Sequence, residues 1–326
     1  MKNMVLKITG LLVLALIVLI AGAMTYVKFA LPDVGEAPEL TVEVTPQRVE
    51  RGRYLANHVN VCIDCHSKRD MSKFAGPPIR GTEGMGGEIF NAALGFPGTY
   101  YAPNITPAGV GNWTDGELFR AITSGVNKSG RALFPLMNHP AYGQMDEEDI
   151  KSIIAYLRTL KPIENPVPES VSDFPMSFII NTIPHKPAFQ PIPDKKDEVL
   201  YGKYLVNAAS CVDCHSKVDK GTPIAGLEFG GGREFPIPNG TLRSANITPH
   251  PEKGIGKWTK AMFINRFKAY ADSTARNKQI APGEFNTIMP WTMYAGMTEE
   301  DLGAVYAYLH SLKPIDNVVI SFAKNP

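Results

Sequence analysis

Two pentapeptides carry the chemistry of this chain: Cys62-Ile63-Asp64-Cys65-His66 and Cys211-Val212-Asp213-Cys214-His215. Together they consume all four cysteines, so no sulfur is left for a disulfide or for another thiolate site. A Cys-x-x-Cys-His run is the spacing of c-type haem attachment. The two thiols add across the porphyrin vinyl groups. The adjoining histidine is carried beneath the iron, for which a neutral imidazole nitrogen is a good ligand. The rival readings are a thioredoxin-like redox pair, which needs a βαβ setting absent from this pattern, and a zinc site. Two copies, each ending in histidine and with no cysteine to spare, favour two covalently bound haem c groups.

A carrier haem usually takes a second ligand, and methionine is the common one that raises the potential. The chain offers two matched pairs, Met137 with Met289 and Met145 with Met297. Met145 and Met297 each precede the expected cap of a helix, where a hydrophobic staple to Ile150 or Leu302 accounts for them. Met137 and Met289 have no such role. They sit in proline-containing loops, 75 residues after Cys62 and 78 after Cys211. The expected iron ligands are therefore His66 with Met137 and His215 with Met289. His139, two residues from Met137, is the rival, whereas His58, His185, His250 and His310 lack a matched partner and read as packed or solvated. Trp113 and Trp258 could hydrogen-bond a haem propionate or could fill core space. Arg131 is a further candidate for a propionate, but the second copy has no counterpart.

These residues recur because the chain repeats itself at an offset of about 150 residues. Arg51-Gly52-Arg53-Tyr54-Leu55 returns as Tyr201-Gly202-Lys203-Tyr204-Leu205, and Asn104-Ile105-Thr106-Pro107 as Asn246-Ile247-Thr248-Pro249. Gly111-Asn112-Trp113-Thr114 returns as Gly256-Lys257-Trp258-Thr259. Asp149 to Pro162 matches Asp301 to Pro314. Each copy ends in a helix. Asp146 is the expected N-cap of the first, with Glu147, Glu148 and Asp149 in the turn where the dipole favours anions. Ile150, Ile153, Ile154 and Leu157 follow as a core stripe. Thr298 with Asp301 forms an analogue of the capping box in the second, with Leu302, Val305 and Leu309 as its stripe. Pro162 and Pro314 mark the stops.

The stretch Ile8 to Val27 is 20 uncharged residues between Lys7 and Lys28, long enough to cross a hydrocarbon core as a helix. Lys2 and Lys7 place the N-terminus in the cytoplasm and the rest of the chain outside. A cleaved signal segment ending near Ala21-Gly22-Ala23 is the alternative, but the apolar run continues past it through Tyr26 and Val27. With 33 basic and 32 acidic residues, and no basic run, the chain lacks the electrostatic footprint of a nucleic-acid binder. The expected organisation is a membrane anchor over 1–30, a linker over 31–47 and a first haem domain over 48–162. A proline-rich connector over 163–195, a second haem domain over 196–316 and a tail over 317–326 follow. The glycine-rich stretches Gly84–Gly98 and Gly226–Gly232 lack the context of a phosphate loop and read as loops around haem.

The series of Cys-x-x-Cys-His, Asn-Ile-Thr-Pro, Gly-x-Trp-Thr and Ala-Tyr-Leu-x-x-Leu-Lys-Pro, with Met289-Pro290, resembles the cytochrome c subunits of membrane-bound alcohol, aldehyde and gluconate dehydrogenases. The similarity runs from about Val49 to Pro314 and is strongest in the second half. It implies a mostly α fold of two tandem cytochrome c-like domains with long Pro/Gly-rich loops. It does not extend to the proline connector or to the anchor, and the one transmembrane helix in front rests on the apolar stretch alone. In that family the corresponding methionine is the distal ligand, which supports Met137 and Met289. Two departures stand out: the family's subunits often carry three haems, and Met137-Asn138-His139 replaces the family's Met-Pro-Tyr. The expected function is periplasmic electron transfer between a dehydrogenase or quinol-oxidising partner and a downstream cytochrome or oxidase. The alternative is a dihaem enzyme of peroxidase or thiosulfate dehydrogenase type, with one catalytic haem.

Overall fold

The computed structural model describes residues 2–237, 240–281 and 283–324. Helix α1 (Lys2–Phe29) is long and apolar enough to cross a membrane, and none of the 18-residue window that defines it is buried against the rest of the protein. The remainder is mostly helical and is built twice from the same parts.

In the first half, α2 (Pro46–Tyr54) leads into the short motif helix α3 (Cys62–Cys65), followed by α4 (Asp115–Ser124) and the terminal α5 (Glu147–Thr159). A short helix of the connector, α6 (Met176–Ile179), comes next. The second half repeats the plan as α7 (Glu198–Ala208), α8 (Cys211–Cys214), α9 (Lys260–Lys268) and α10 (Glu299–Ser311).

The crossing of first and last helix organises each half, and glycine permits it. A Cβ on Gly52 would stand 1.8 Å from the Ser152 carbonyl oxygen, and one on Gly202 would stand 1.9 Å from that of Ala304. Only a residue without a side chain lets these backbones meet so closely. Ile150, Ile153, Ile154 and Leu157, with Leu302, Val305 and Leu309 opposite, are buried in one continuous apolar core that draws on both halves. Met145 and Met297 lie in that core beside the helix starts, as staple residues should.

The first half has one residue more between Leu55 and Cys62 than the second has between Leu205 and Cys211. A π-helical turn at Leu55–Val59 absorbs it, so that α2 and α7 deliver their motif helices in the same way. Val61 and Ser210 then take left-handed conformations, φ 47° and 56°, to turn the chain into the motifs.

The stretches expected to be connector and tail are partly woven into sheets. Strand β3 (Val171–Ser172) pairs with β2 (Gly98–Tyr101), itself paired with β1 (Ile89–Phe90), all antiparallel. In the same way β6 (Phe322–Lys324) closes on β5 (Gly240–Arg243), which pairs with β4 (Glu234–Ile237). The connector continues as a strap: Ala188 N–H donates to Gly143 O, and Phe189 packs at 5.3 Å against Phe119.

The N-caps depart from the expected box. Asp146 accepts from Glu148 N and Thr298 from Asp301 N, as read from the sequence. The Asp301 carboxylate, however, does not return to the Thr298 amide. That amide donates to the Tyr54 hydroxyl at 3.1 Å, and Tyr54 donates to Asp301 at 2.5 Å. The first half mirrors this, with Asp146 N donating to Tyr204 at 3.2 Å and Tyr204 donating to Asp149 at 2.6 Å. A tyrosine from the opposite half therefore completes each cap.

Candidate functional site

The two motif helices present their histidines with the same tether, His66 buried and His215 partly exposed. In each motif the fifth residue ends a single turn whose N–H reaches back to the first cysteine's carbonyl. His66 Nδ1 lies 2.7 Å from Pro103 O, and His215 Nδ1 lies 2.8 Å from Ala245 O. A carbonyl can only accept, so Nδ1 carries the proton and Nε2 keeps its lone pair. Burial lowers the pKa of both rings, outweighing the bond to the carbonyl, so both are neutral. A neutral imidazole with Nδ1 tethered and Nε2 free is the state that binds iron.

The backbone of each histidine is fixed against the same loop. Gly86 and Gly231, at φ 71° and 72°, donate to the carbonyls of His66 and His215. A Cβ on either would lie 2.5 Å from the backbone of Pro103 or Ala245, so these glycines let the histidine segment lie directly on the carbonyl segment. Ser67 and Ser216 bond back to Ile63 and Val212, each at 2.5 Å, and accept from the amides of Gly84 and Phe229. Parts of both glycine-rich stretches thus form the floor of the motif loops.

The Asn-Ile-Thr-Pro segments are turns, and they also act as clamps. Asn104 accepts from both Thr106 N and Oγ1 while donating to Ile163 O; Asn246 does the same with Thr248 and Ile315. They fasten the chain leaving each terminal helix to the loop that follows the carbonyl at Pro103 or Ala245.

None of the four cysteines is joined in a disulfide. Burial pushes Cys62, Cys65 and Cys211 up to about 12, so these three are not activated as thiolates. No group of three or more His, Cys, Asp or Glu stands at metal-binding spacing among the described residues. The donor set therefore fits covalent haem attachment, with two unbridged cysteines and a neutral histidine per motif, better than zinc or a redox disulfide.

Met137 and Met289 are both half-buried and packed against the shared core. Their loops each begin a short helical turn, through His139–Tyr142 and Trp291–Tyr294. His139 occupies the place of Trp291 in the other half. It is fully buried against Gly125, with neither ring nitrogen paired, and burial lowers it to about 4. Trp291 at that place packs at a tilt against Phe267 and Tyr270, with Arg266 over its face. Of the remaining histidines, His310 reaches Ile255 O, His250 caps a turn and His185 is exposed. Trp113 and Trp258 pack at the core edge. Arg131 is not directed at a motif; it forms a surface pair with Glu169.

Sequence reasoning missed how close the two motifs lie to each other. His58 Nδ1 donates to Met293 O at 2.8 Å, and its counterpart Asn207 donates to Ala141 O at 3.0 Å. Asn60, just before the first motif, donates to Ala208 O at 3.2 Å, and Asn138 bonds Asp213 inside the second motif. Within each half, the buried Tyr142 and Tyr294 hydroxyls hold these same approaches, donating to Asn60 O and Ala209 O. The approaches to the two motifs therefore face each other across a pseudo-twofold interface. Its trace in the sequence is the pair of repeated tyrosines, Tyr54 with Tyr204 and Tyr142 with Tyr294.

The cytochrome c family model matches residues 199–313. The cytochrome c subunit of a quinone alcohol dehydrogenase from Gluconacetobacter polyoxogenes is 28% identical over 299 residues, covering 86% of this chain and 59% of that protein. The fructose dehydrogenase cytochrome subunit of Gluconobacter japonicus is 28% identical over 284 residues, covering 81% and 52%. A dihaem c-type cytochrome of Cereibacter sphaeroides is 27% identical over 246 residues, covering 72% and 77%. The chain thus spans between half and three fifths of the length of the dehydrogenase subunits it matches first. It is a homologue of cytochrome c subunits of alcohol, fructose and gluconate dehydrogenases, and it contains a cytochrome c domain.

Proposed function

We propose, from this homology and from the paired motif geometry, that the chain is a membrane-anchored dihaem cytochrome c. It would relay electrons on the periplasmic side from a dehydrogenase or quinol-oxidising partner to a downstream cytochrome or oxidase. Cys62 and Cys65 would hold one haem and Cys211 and Cys214 the other, with His66/Met137 and His215/Met289 as the iron ligands. Each group, once attached, supplies a one-electron iron couple. The chain's own residues do the rest. Pro103 and Ala245 hold the imidazoles neutral and oriented, the apolar core excludes water, and the interface fixes one half against the other.

The observation that carries this reading is the duplicated Nδ1 tether, at 2.7 Å and 2.8 Å, on two histidines that each follow a pair of unbridged cysteines. Met137 and Met289 share one position of the sequence repeat, and both are half-buried on the core. Helix α1 supports the anchor, with Lys2 and Lys7 on its cytoplasmic side.

Haem quantification under denaturing conditions should return two covalent haems per chain. Met137→Leu and Met289→Leu should each convert one low-spin site to high spin in the electron paramagnetic resonance spectrum and leave the other intact. A spectrum unchanged by Met137→Leu but altered by His139→Leu would transfer the first distal position to His139. Mild-detergent purification from native membranes should bring down a dehydrogenase or quinol-oxidising module. Recovery of the cytochrome alone would leave a free-standing tethered shuttle.

A further inference from the structure

The connector between the halves has one stretch unlike the rest. From Phe174 to Ile183 the sequence reads Phe-Pro-Met-Ser-Phe-Ile-Ile-Asn-Thr-Ile, ten residues without a charge. It forms α6 and a following 3-10 turn over Ile180–Thr182. Phe174 is 78% exposed and meets Phe178 edge-on at 6.2 Å; Ile179 and, just upstream, Val171 are exposed as well. Water is a poor neighbour for such a cluster, and patches of this kind mark a surface that something covers.

Its position says what covers it. This stretch lies against the outward end of α1, where Asn181 Nδ2 donates to Val27 O at 3.3 Å. Val27 is among the last residues of that helix, whose carbonyls have no partner within it. Tyr26 and Phe29 of α1 are exposed at the same level. Lys28 at the end of α1 and Lys186 beyond Ile183 are exposed and basic, as suits anionic headgroups, while the acidic Asp173 precedes Phe174. Aromatic side chains with adjacent lysines at the end of a spanning helix are what a membrane–water interface selects.

We propose that Phe174–Ile183 lies in the headgroup layer of the bilayer that α1 crosses, as a second, interfacial contact that seats the first half on the membrane. This rests on the reading of α1 as an uncleaved anchor. The occupant is a lipid surface, because the cluster is continuous with the emerging end of the spanning helix. Exposed apolar residues elsewhere, such as Met262, Phe285 and Val318, have no such continuity.

The test uses the full chain with its haems, reconstituted in vesicles of phosphatidylethanolamine and phosphatidylglycerol that contain a phospholipid with a diazirine near the headgroup. After irradiation and digestion, mass spectrometry maps the lipid adducts. Adducts are expected in the α1 peptides and in the Phe174–Ile183 peptide, and not in peptides holding Met262 or Val318. The doubly substituted chain Phe174→Glu/Ile179→Glu should keep its haem absorption and its α1 adducts while losing connector adducts at least tenfold. Adducts in α1 alone would overturn the interfacial contact and leave the anchor standing, a result that a protein partner covering the cluster would also give. Connector adducts undiminished in the double variant would also overturn it. An absence of α1 adducts would refute the anchor, and the proposal with it.

Discussion

His58 shows how one residue ties the two halves to pH. It is half-buried, donates to Met293 O at 2.8 Å and stands near Arg276, Arg53 and Lys268. Burial, reinforced by these three cations, lowers its pKa below the ordinary value and outweighs the bond to Met293 O. The unfolded chain therefore binds a proton more readily than the folded one. Stability from the neutral ring is complete above the ordinary histidine value, near 6.5, and is lost as pH falls from there through the depressed folded value. Its pseudo-twofold counterpart, Asn207, makes the equivalent bond without a titrating group. His58→Asn should therefore keep the crossing hydrogen bond and flatten the fall in urea midpoint between pH 7.5 and pH 5. An equally steep fall in the variant would assign the acid sensitivity to other groups. Arg51 and Asp149 give a second test, because the guanidinium grips a carboxylate that is only 2% exposed, with bonds of 2.8 Å and 2.7 Å. Arg51→Met should cost about 2–3 kcal/mol in chemical denaturation, somewhat under the ~3–5 kcal/mol of a fully buried broken pair because Arg51 keeps some contact with water.

At the scale of elements, the crossings of α2 with α5 and of α7 with α10 depend on Gly52 and Gly202. Gly52→Ala and Gly202→Ala should each destabilise by about 3 kcal/mol, near the upper end for overpacking, because the obstacle is a backbone carbonyl and not a side chain that can move aside. Thermal unfolding would check this, with Gly10→Ala in α1, where nothing lies within 4 Å, as the neutral comparison. These elements were legible in the sequence to the extent that local signals specify them. The stripe of Ile150, Ile153, Ile154 and Leu157, the cap at Asp146 and the prolines beyond α5 and α10 are signals confined to a few neighbouring residues. The Cys-x-x-Cys-His turns are equally local. The capping box at Thr298 was half legible: the hydroxyl-to-amide bond formed, but the Asp301 carboxylate went to Tyr54, 247 residues away in sequence. The strands β3 and β6 went unread because two or three residues carry no periodicity, and their pairing is set by partners about 70 or more residues distant. The π-helical turn could have been anticipated by counting residues between Leu55 and Cys62 against their counterparts in the second half.

Over the whole molecule, the two halves share one apolar core and exchange reciprocal bonds, Tyr54 to Asp301 and Tyr204 to Asp149. Each tyrosine also completes the helix start of the opposite half through Thr298 N or Asp146 N. Both hydroxyls are raised well above the ordinary tyrosine value, first by burial and then by the carboxylate each one faces, so they remain donors at every physiological pH. The caps of α5 and α10 therefore exist in full only when the halves are joined. Neither half can lose its partner without leaving a buried carboxylate short of a donor. Unfolding should accordingly be a single transition, with haem absorbance and far-ultraviolet circular dichroism tracing the same curve. Tyr54→Phe and Tyr204→Phe should each cost about 1.5–3 kcal/mol, the range for a hydrogen bond to a charged group. In the double variant the halves should begin to unfold separately, as two resolved steps or a broadened one. Two steps in the unaltered protein would mean that the core shared across the interface does not couple the halves. The fixed separation of the two sites would then have to come from the connector strap alone.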